Sequence, residues 1–286
     1  MTTYAVTGAT GELGALVIDA LLEREIEAAA IVAVVRNTAK AASLLERGVT
    51  VRKGDYDKPE TLASALADVD TLMFISGSEV GQRVRQHGNV LEAAKAAGVK
   101  RVAYTSVLRA DTSDLALAPE HKATEALIRE SGIPFTLLRN GWYTENYTGQ
   151  LGQYLATGAV IGAAGDARIA AATRADFAEA AAVVLTGEGH ENAVYELGGT
   201  PFTMVEFASA VSEVTGRSIG YRNVTLDEYQ QGLLAAGLDE GMAGFLTALE
   251  ANTAAGDLDT ESEDLAKLIG RPSTPLAEAV RAAHTA

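Results

Sequence analysis

Cysteine is absent from all 286 residues, which excludes disulfides, thiolate metal sites and a cysteine nucleophile. Histidine is nearly as scarce. His87, His121, His190 and His284 are scattered with no metal-ligand spacing, so no metal is expected. Positive charge is short as well: Lys+Arg 23 against Asp+Glu 38 gives a formal net charge of −15. Nucleic-acid phosphates would be repelled by such a surface, and no nucleic-acid partner is expected. No apolar run approaches the ~20 residues that span a bilayer. The first β-like run starts almost at Met1, which leaves no room for a cleaved leader. The expectation is a cytoplasmic protein without a membrane partner, and the sequon-like Asn146-Tyr147-Thr148 is read as unmodified.

Apolar sequence is plentiful: 48% of the chain is hydrophobic, enough for a large buried core. Its arrangement at the N-terminus is specific. Tyr4, Ala5 and Val6 form a short β-run ending at Thr7, followed by Gly8, Gly11 and Gly14. A helical pattern (Leu13, Leu16, Val17, Ala20, Leu21) begins at once. Strand, glycine turn, then helix is the context of a dinucleotide-binding loop. Gly8 suits the tight turn, Gly11 the approach of a pyrophosphate and Gly14 close helix–sheet packing. The spacing is G-x-x-G-x-x-G, and an ordinary βα turn is the plain alternative.

Strand and helix patterns alternate through the first half. Buried-strand runs fall at 3–7, 30–36, 49–53, 71–75, 100–105 and 134–139, with helices at 12–24, 38–47, 59–67, 79–97 and 120–131. This is the arithmetic of an α/β Rossmann fold, a doubly wound parallel sheet. Gly48, Gly98 and Gly132 stand where helix C-caps belong. After about residue 140 helices dominate, at 144–157, 175–186, 203–215, 226–237, 240–252 and 274–284, with short strands near 159–161, 193–197 and 219–223. The expected organisation is an NAD(P)-binding domain over 1–140 and a smaller, mostly helical C-terminal lobe over 141–286, parts of which return to the first. The acidic run from Asp257 to Asp264 lacks the glycine of a calcium loop and reads as solvated.

The end of the second strand separates the two nicotinamides. An NAD site usually has Asp or Glu there for the ribose hydroxyls. Here Arg36 stands at that place, with Lys40 one turn on, and a guanidinium can hold a 2′-phosphate bidentately. NADPH is favoured over NADH; the alternative is a solvated arginine. Asp55 suits either the adenine amino group or a turn cap. Ligands bind beyond the carboxyl ends of parallel strands, so residues 8–13 (Gly8, Thr10, Gly11, Glu12, Leu13), Arg36, Lys40, Asp55, Ile75, Ser76, Gly77, Thr105, Ser106 and 140–143 (Asn140, Gly141, Trp142, Tyr143) are the candidate cofactor residues.

Thr-Gly-Ala-Thr-Gly-Glu-Leu-Gly at 7–14 and Val-Arg-Asn at 35–37 resemble the NmrA-like group of atypical short-chain dehydrogenases. Segments 75–83, 103–106, 137–147, 195–199 and 268–276 resemble the bacterial type 2 NAD(P)H:quinone oxidoreductase branch of that group. The likeness runs nearly end to end, and Leu-Leu-Arg-Asn-Gly-Trp-Tyr-Thr-Glu-Asn-Tyr at 137–147 is its most specific part. It implies a Rossmann domain with a small C-terminal lobe, NADPH, and reduction of quinones without a flavin.

Carbonyl-reducing members of the wider class use Tyr-x-x-x-Lys, commonly with Glu four residues beyond the Lys. Counting back from Glu125 places His121 at the Lys position and Leu117 at the Tyr position. Lys122 is one residue off, about 100° around the helix. His121 is the chosen catalytic candidate, with Asn140 and Tyr104; Tyr104 is the other phenol available as an acid. A quinone that accepts hydride becomes a weakly basic, resonance-stabilised anion that solvent can protonate, so a site without a strong acid suits quinones or cationic dyes. Trp142, Tyr143 and Tyr147 can stack on a planar acceptor, and Asn146 and His121 complete the candidate substrate residues. Two other readings are a triphenylmethane dye reductase and a non-catalytic NmrA-type redox sensor.

Overall fold

The computed structural model describes residues 2–285. Runs buried at every position build its sheet, as strands covered on both faces require: Ile31–Val35, Thr71–Phe74 and Phe135–Asn140. The first six strands are β1 (Tyr4–Thr7), β2 (Ile31–Val35), β3 (Thr50–Lys53), β4 (Thr71–Phe74), β5 (Arg101–Val107) and β6 (Phe135–Asn140). Later come β7 (Ala159–Gly162), β8 (Ala193–Leu197) and β9 (Gly220–Asn223). Seven of them form one sheet in the order β3-β2-β1-β4-β5-β6-β8. Register is parallel, Tyr4 lying opposite Ile31 on one side and Thr71 on the other. This is a Rossmann fold. The chain starts at β1, runs outward through β2 and β3, then returns to β4, so the switch point that admits a dinucleotide lies at the carboxyl ends of β1 and β4.

Helices α1 (Glu12–Glu23), α2 (Ala42–Glu46), α3 (Pro59–Ala65), α4 (Arg83–Ala96) and α5 (Ala118–Ser131) join these strands. Gly48, Gly98 and Gly132 all take positive φ beyond helix ends, at 83°, 71° and 74°. The helix expected over 38–47 is a 3₁₀ turn, Thr38–Ala41, followed by α2; the Asn37 side chain accepts from Ala39 N and starts the turn. The helix expected from 79 begins at Arg83, after Gly81 at φ 86°, with Glu120 Oε1 accepting from Gly81 N and Arg83 N at its start.

The chain divides into two compact units. The first comprises 1–111, 119–140 and 174–195, and includes α8 (Arg174–Thr186). Its core runs through Leu62, Leu66, Leu72, Phe74, Tyr104 and Leu137, each without solvent exposure. The second comprises 112–118, 141–173 and 196–286. It holds α6 (Glu145–Thr148), α7 (Leu151–Thr157), α9 (Met204–Thr215), α10 (Leu226–Ala235), α11 (Glu240–Ala254), α12 (Asp264–Ile269) and α13 (Leu276–Thr285), with β7 and β9 paired in parallel. The single helix expected over 144–157 is two, with Gly149 and Gln150 between them. Among the described residues, no helix is long and apolar enough to cross a membrane.

Candidate active site

Gly8 takes φ 60°, which turns the chain sharply out of β1. A Cβ at Gly14 would lie 2.3 Å from the Gly8 carbonyl oxygen, so only glycine lets α1 sit this close to the turn. The helix starts at Gly11 with no side-chain cap. Its first N–H groups therefore form a ready anion site with the positive end of the helix dipole behind it.

A cleft of about 460 Å³ opens above this turn, lined by Gly8, Thr10, Gly11, Arg36, Lys40, Asp55, Ile75, Ser76 and Gly77 among the candidates named from sequence. Tyr56, Asp57, Glu79 and Gln86 line it too and were not foreseen. Asp55 Oδ1 accepts from Asp57 N at 3.1 Å, so the carboxylate caps its own turn while facing the cleft. Arg36 reaches Glu79 at 3.0 Å across the rim. Leu13 is buried, and Glu12 pairs with Arg174 at 3.0 Å.

Side chains hold the segment after β4 almost atom by atom. Ile75 N donates to Thr7 Oγ1 (2.9 Å), Ser76 N to Thr105 Oγ1 (2.8 Å) and Gly77 N to His87 Nε2 (2.9 Å). Tyr56 Oη donates to the Ile75 carbonyl (2.7 Å) and Arg83 Nε to that of Gly77 (2.6 Å). The floor of the cleft is thus set before any ligand arrives. Because Nε2 of His87 accepts, its Nδ1 carries the proton, directed at Thr124 Oγ1 at 2.8 Å. Burial, with the Arg83 charge nearby, lowers the His87 pKa to about 3 and keeps the ring neutral. Sequence reading set His87 aside as a scattered histidine. The available signal was its i, i+4 spacing from Arg83, which puts both on one helix face.

His121 is buried, whereas the neighbouring Lys122 is exposed and donates to the Asp111 carbonyl at 3.0 Å. His121 Nδ1 lies 2.9 Å from Tyr104 Oη, in the core of the first unit. Burial is the main cause that lowers the His121 pKa to about 3, and burial raises that of the Tyr104 phenol. At neutral pH the pair holds its proton on the tyrosine. Glu125 is engaged by Arg139 at 2.9 and 2.7 Å and accepts from Ser106 Oγ at 2.6 Å, so Ser106 points into this buried ion pair. Asn140 ends β6; its carbonyl accepts from Leu108 N at 3.2 Å, and its buried Oδ1 has no hydrogen-bond partner among the described residues. A buried amide oxygen in that state is suited to a donor brought by a ligand.

Gly141, Trp142, Tyr143, Asn146 and Tyr147 belong to the second unit. Gly141 N donates to Leu197 O (2.7 Å), and Ala172 N to Trp142 O (3.1 Å). Tyr147 packs against Phe202 and Phe207, ring centroids 6.1 and 5.7 Å away. Trp142 and Tyr143 are half-buried. No group of three or more metal-binding side chains occurs among the described residues.

The NmrA-like family profile matches residues 2–275. The chain belongs to the NmrA-like family. Within it, the chain is 50% identical over 277 residues to Quinone oxidoreductase 2 of Escherichia coli, covering 96% of each protein. The NADPH complex of an NADPH-dependent quinone oxidoreductase from E. coli superposes with TM-score 0.93 at 49% identity, over 97% of this chain and 98% of that one. Another neighbour in fold is the Citrobacter sp. triphenylmethane reductase in complex with NADP(H), with TM-score 0.93, 43% identity and coverage of 98% and 100%.

The residues present fit a phosphorylated dinucleotide. The NmrA-like turn offers uncapped helix N–H groups over bare glycine backbone, two cations stand at the end of β2 and beyond it, and an unsatisfied amide oxygen ends β6.

Proposed function

We propose that this protein is an NADPH-dependent quinone reductase that passes hydride directly to the acceptor, with no flavin and no metal. The observation that carries the proposal is the cleft itself: the uncapped α1 N-terminus together with Arg36 and Lys40, in a chain half identical to a quinone oxidoreductase along nearly its whole length. NADPH supplies a hydride from C4 of its ring when bound. The chain's own residues position it. The α1 N–H groups take the pyrophosphate, Arg36 and Lys40 take the 2′-phosphate, and the rigid Ile75–Gly77 segment lies along the dinucleotide. Asn140 Oδ1 accepts from the carboxamide.

NADPH, one quinone and one proton give NADP⁺ and a hydroquinone. Neither Tyr104 nor His121 is a strong acid, since the phenol is pushed up and the imidazole is neutral. A hydroquinone anion needs none, because solvent can protonate it. The His121–Tyr104 pair acts as a neutral hydrogen-bonded prop.

The likeness to the Citrobacter triphenylmethane reductase favours a second reading, in which the same hydride reduces a cationic dye. Mixing the protein with NADPH and 1,4-benzoquinone, without flavin, should cause loss of nicotinamide absorbance well above the uncatalysed rate. Decolorisation of a triphenylmethane dye, with no quinone activity, would transfer the proposal to the dye. A flat trace with both acceptors and tight NADP⁺ binding would mark a redox sensor.

A further inference from the structure

The loop between β4 and α4 carries a carboxylate that the dinucleotide reading leaves unused. Glu79 Oε1 lies 3.0 Å from Arg36 Nη1, and both residues line the cleft. The other carboxylate oxygen is anchored: Gln86 Nε2 donates to Glu79 Oε2 at 3.0 Å and to Asp57 Oδ2 at 3.0 Å. Asp57 is held in turn by Arg85 at 2.5 Å. Gln86 is only 3% exposed, so Glu79 rests on a fixed post, whereas the Arg36 side chain is 67% exposed and reaches it from solvent.

The chemistry of this pair is divided. A guanidinium takes a 2′-phosphate, whereas a carboxylate accepts from a ribose 2′-hydroxyl and repels a phosphate. Here the two groups meet at one point of the rim. Resting on the NADPH reading above, we infer that Glu79 is a specificity-determining residue that narrows the preference of the cleft for NADPH over NADH. A 2′-phosphate must draw Arg36 away from Glu79, and the anchored carboxylate stays close enough to oppose it. A ribose hydroxyl leaves the ion pair intact and donates to Glu79.

Titration calorimetry with NADP⁺ and NAD⁺ tests this without any turnover. In Glu79→Gln, NADP⁺ should bind about two- to five-fold more tightly, the range set by one exposed ion pair. NAD⁺ should bind about two- to five-fold more weakly, and Glu79→Ala should move both constants in the same directions. Thermal unfolding of each variant checks that the fold is retained. Arg36→Ala is the reference. If it weakens NADP⁺ selectively while both Glu79 variants keep the wild-type ratio, the inference about Glu79 fails and the NADPH reading stands. If the wild-type protein binds neither dinucleotide, the NADPH reading fails and takes the inference with it.

Discussion

The two units differ in where their polar side chains converge. In the first, Thr7, Tyr56, Thr105, His87 and Arg83 each spend their hydrogen bonds on the backbone of residues 75–77, which lines a cleft. In the second, polar side chains both finish helices and brace loops, Glu250, Tyr221 and Asn223 accepting from the backbone of Ala163, Ala164 and Gly165. Thr203 with Glu206, and Thr225 with Glu228, form complete capping boxes, and Asp239 caps α11. Its centre is aromatic, Tyr147 and Tyr154 packing on Phe207 at 5.7 and 5.8 Å. Five side chains meeting on three consecutive residues of a cleft wall is a feature of the first unit that the described residues of the second do not repeat.

Acid should break the first arrangement most. His87 and His121 have pKa values lowered from 6.5 to about 3, so the unfolded chain takes up protons below pH 6.5 that the folded one refuses. Their contribution is complete above pH 6.5 and declines as the pH falls toward 3. At pH 5 the loss amounts to about 2 kcal/mol for each histidine. Urea unfolding at pH 7 and pH 5 should show it, and His87→Gln or His121→Gln should flatten the decline.

Gly14→Val sharpens the contrast from the side of packing. Its Cβ would meet the Gly8 carbonyl at 2.3 Å and Ala9 Cα at 2.9 Å, both backbone, so the turn must move. A cost of about 3 kcal/mol is expected, shared between stability and NADPH affinity and separable by denaturation and calorimetry.

Thr203→Ala is the mildest change and bears on the other unit. Loss of that cap should lower the unfolding free energy from urea titration by about 1 kcal/mol and leave NADPH affinity alone. A change in affinity would show that the cap does more than finish α9.

The difference between the units also explains what could be read in the sequence. The glycine turn, the buried strands and Arg36 were legible because each follows from local geometry: a positive φ at Gly8, full burial of 31–35, a cation at a strand end. Most helices in the second half were legible from apolar spacing, whereas α12 (Asp264–Ile269) was not, its start lying in the acidic run read as solvated. The break of 144–157 into two helices escaped because apolar spacing continues across Gly149 and Gln150. Glu79, Gln86 and His87 escaped because their roles depend on partners far along the chain, such as Arg36, Asp57 and Thr124. No local pattern records such a partner.

The central claim is that this cleft recognises NADPH through its 2′-phosphate, and parallel titrations of NADPH and NADH into the wild-type protein and Arg36→Glu test it most directly. Exchanging a charge-assisted donor for a repelling carboxylate should weaken NADPH by about 100-fold and NADH by no more than about three-fold. An equal loss for both nucleotides, or no loss for either, would contradict it.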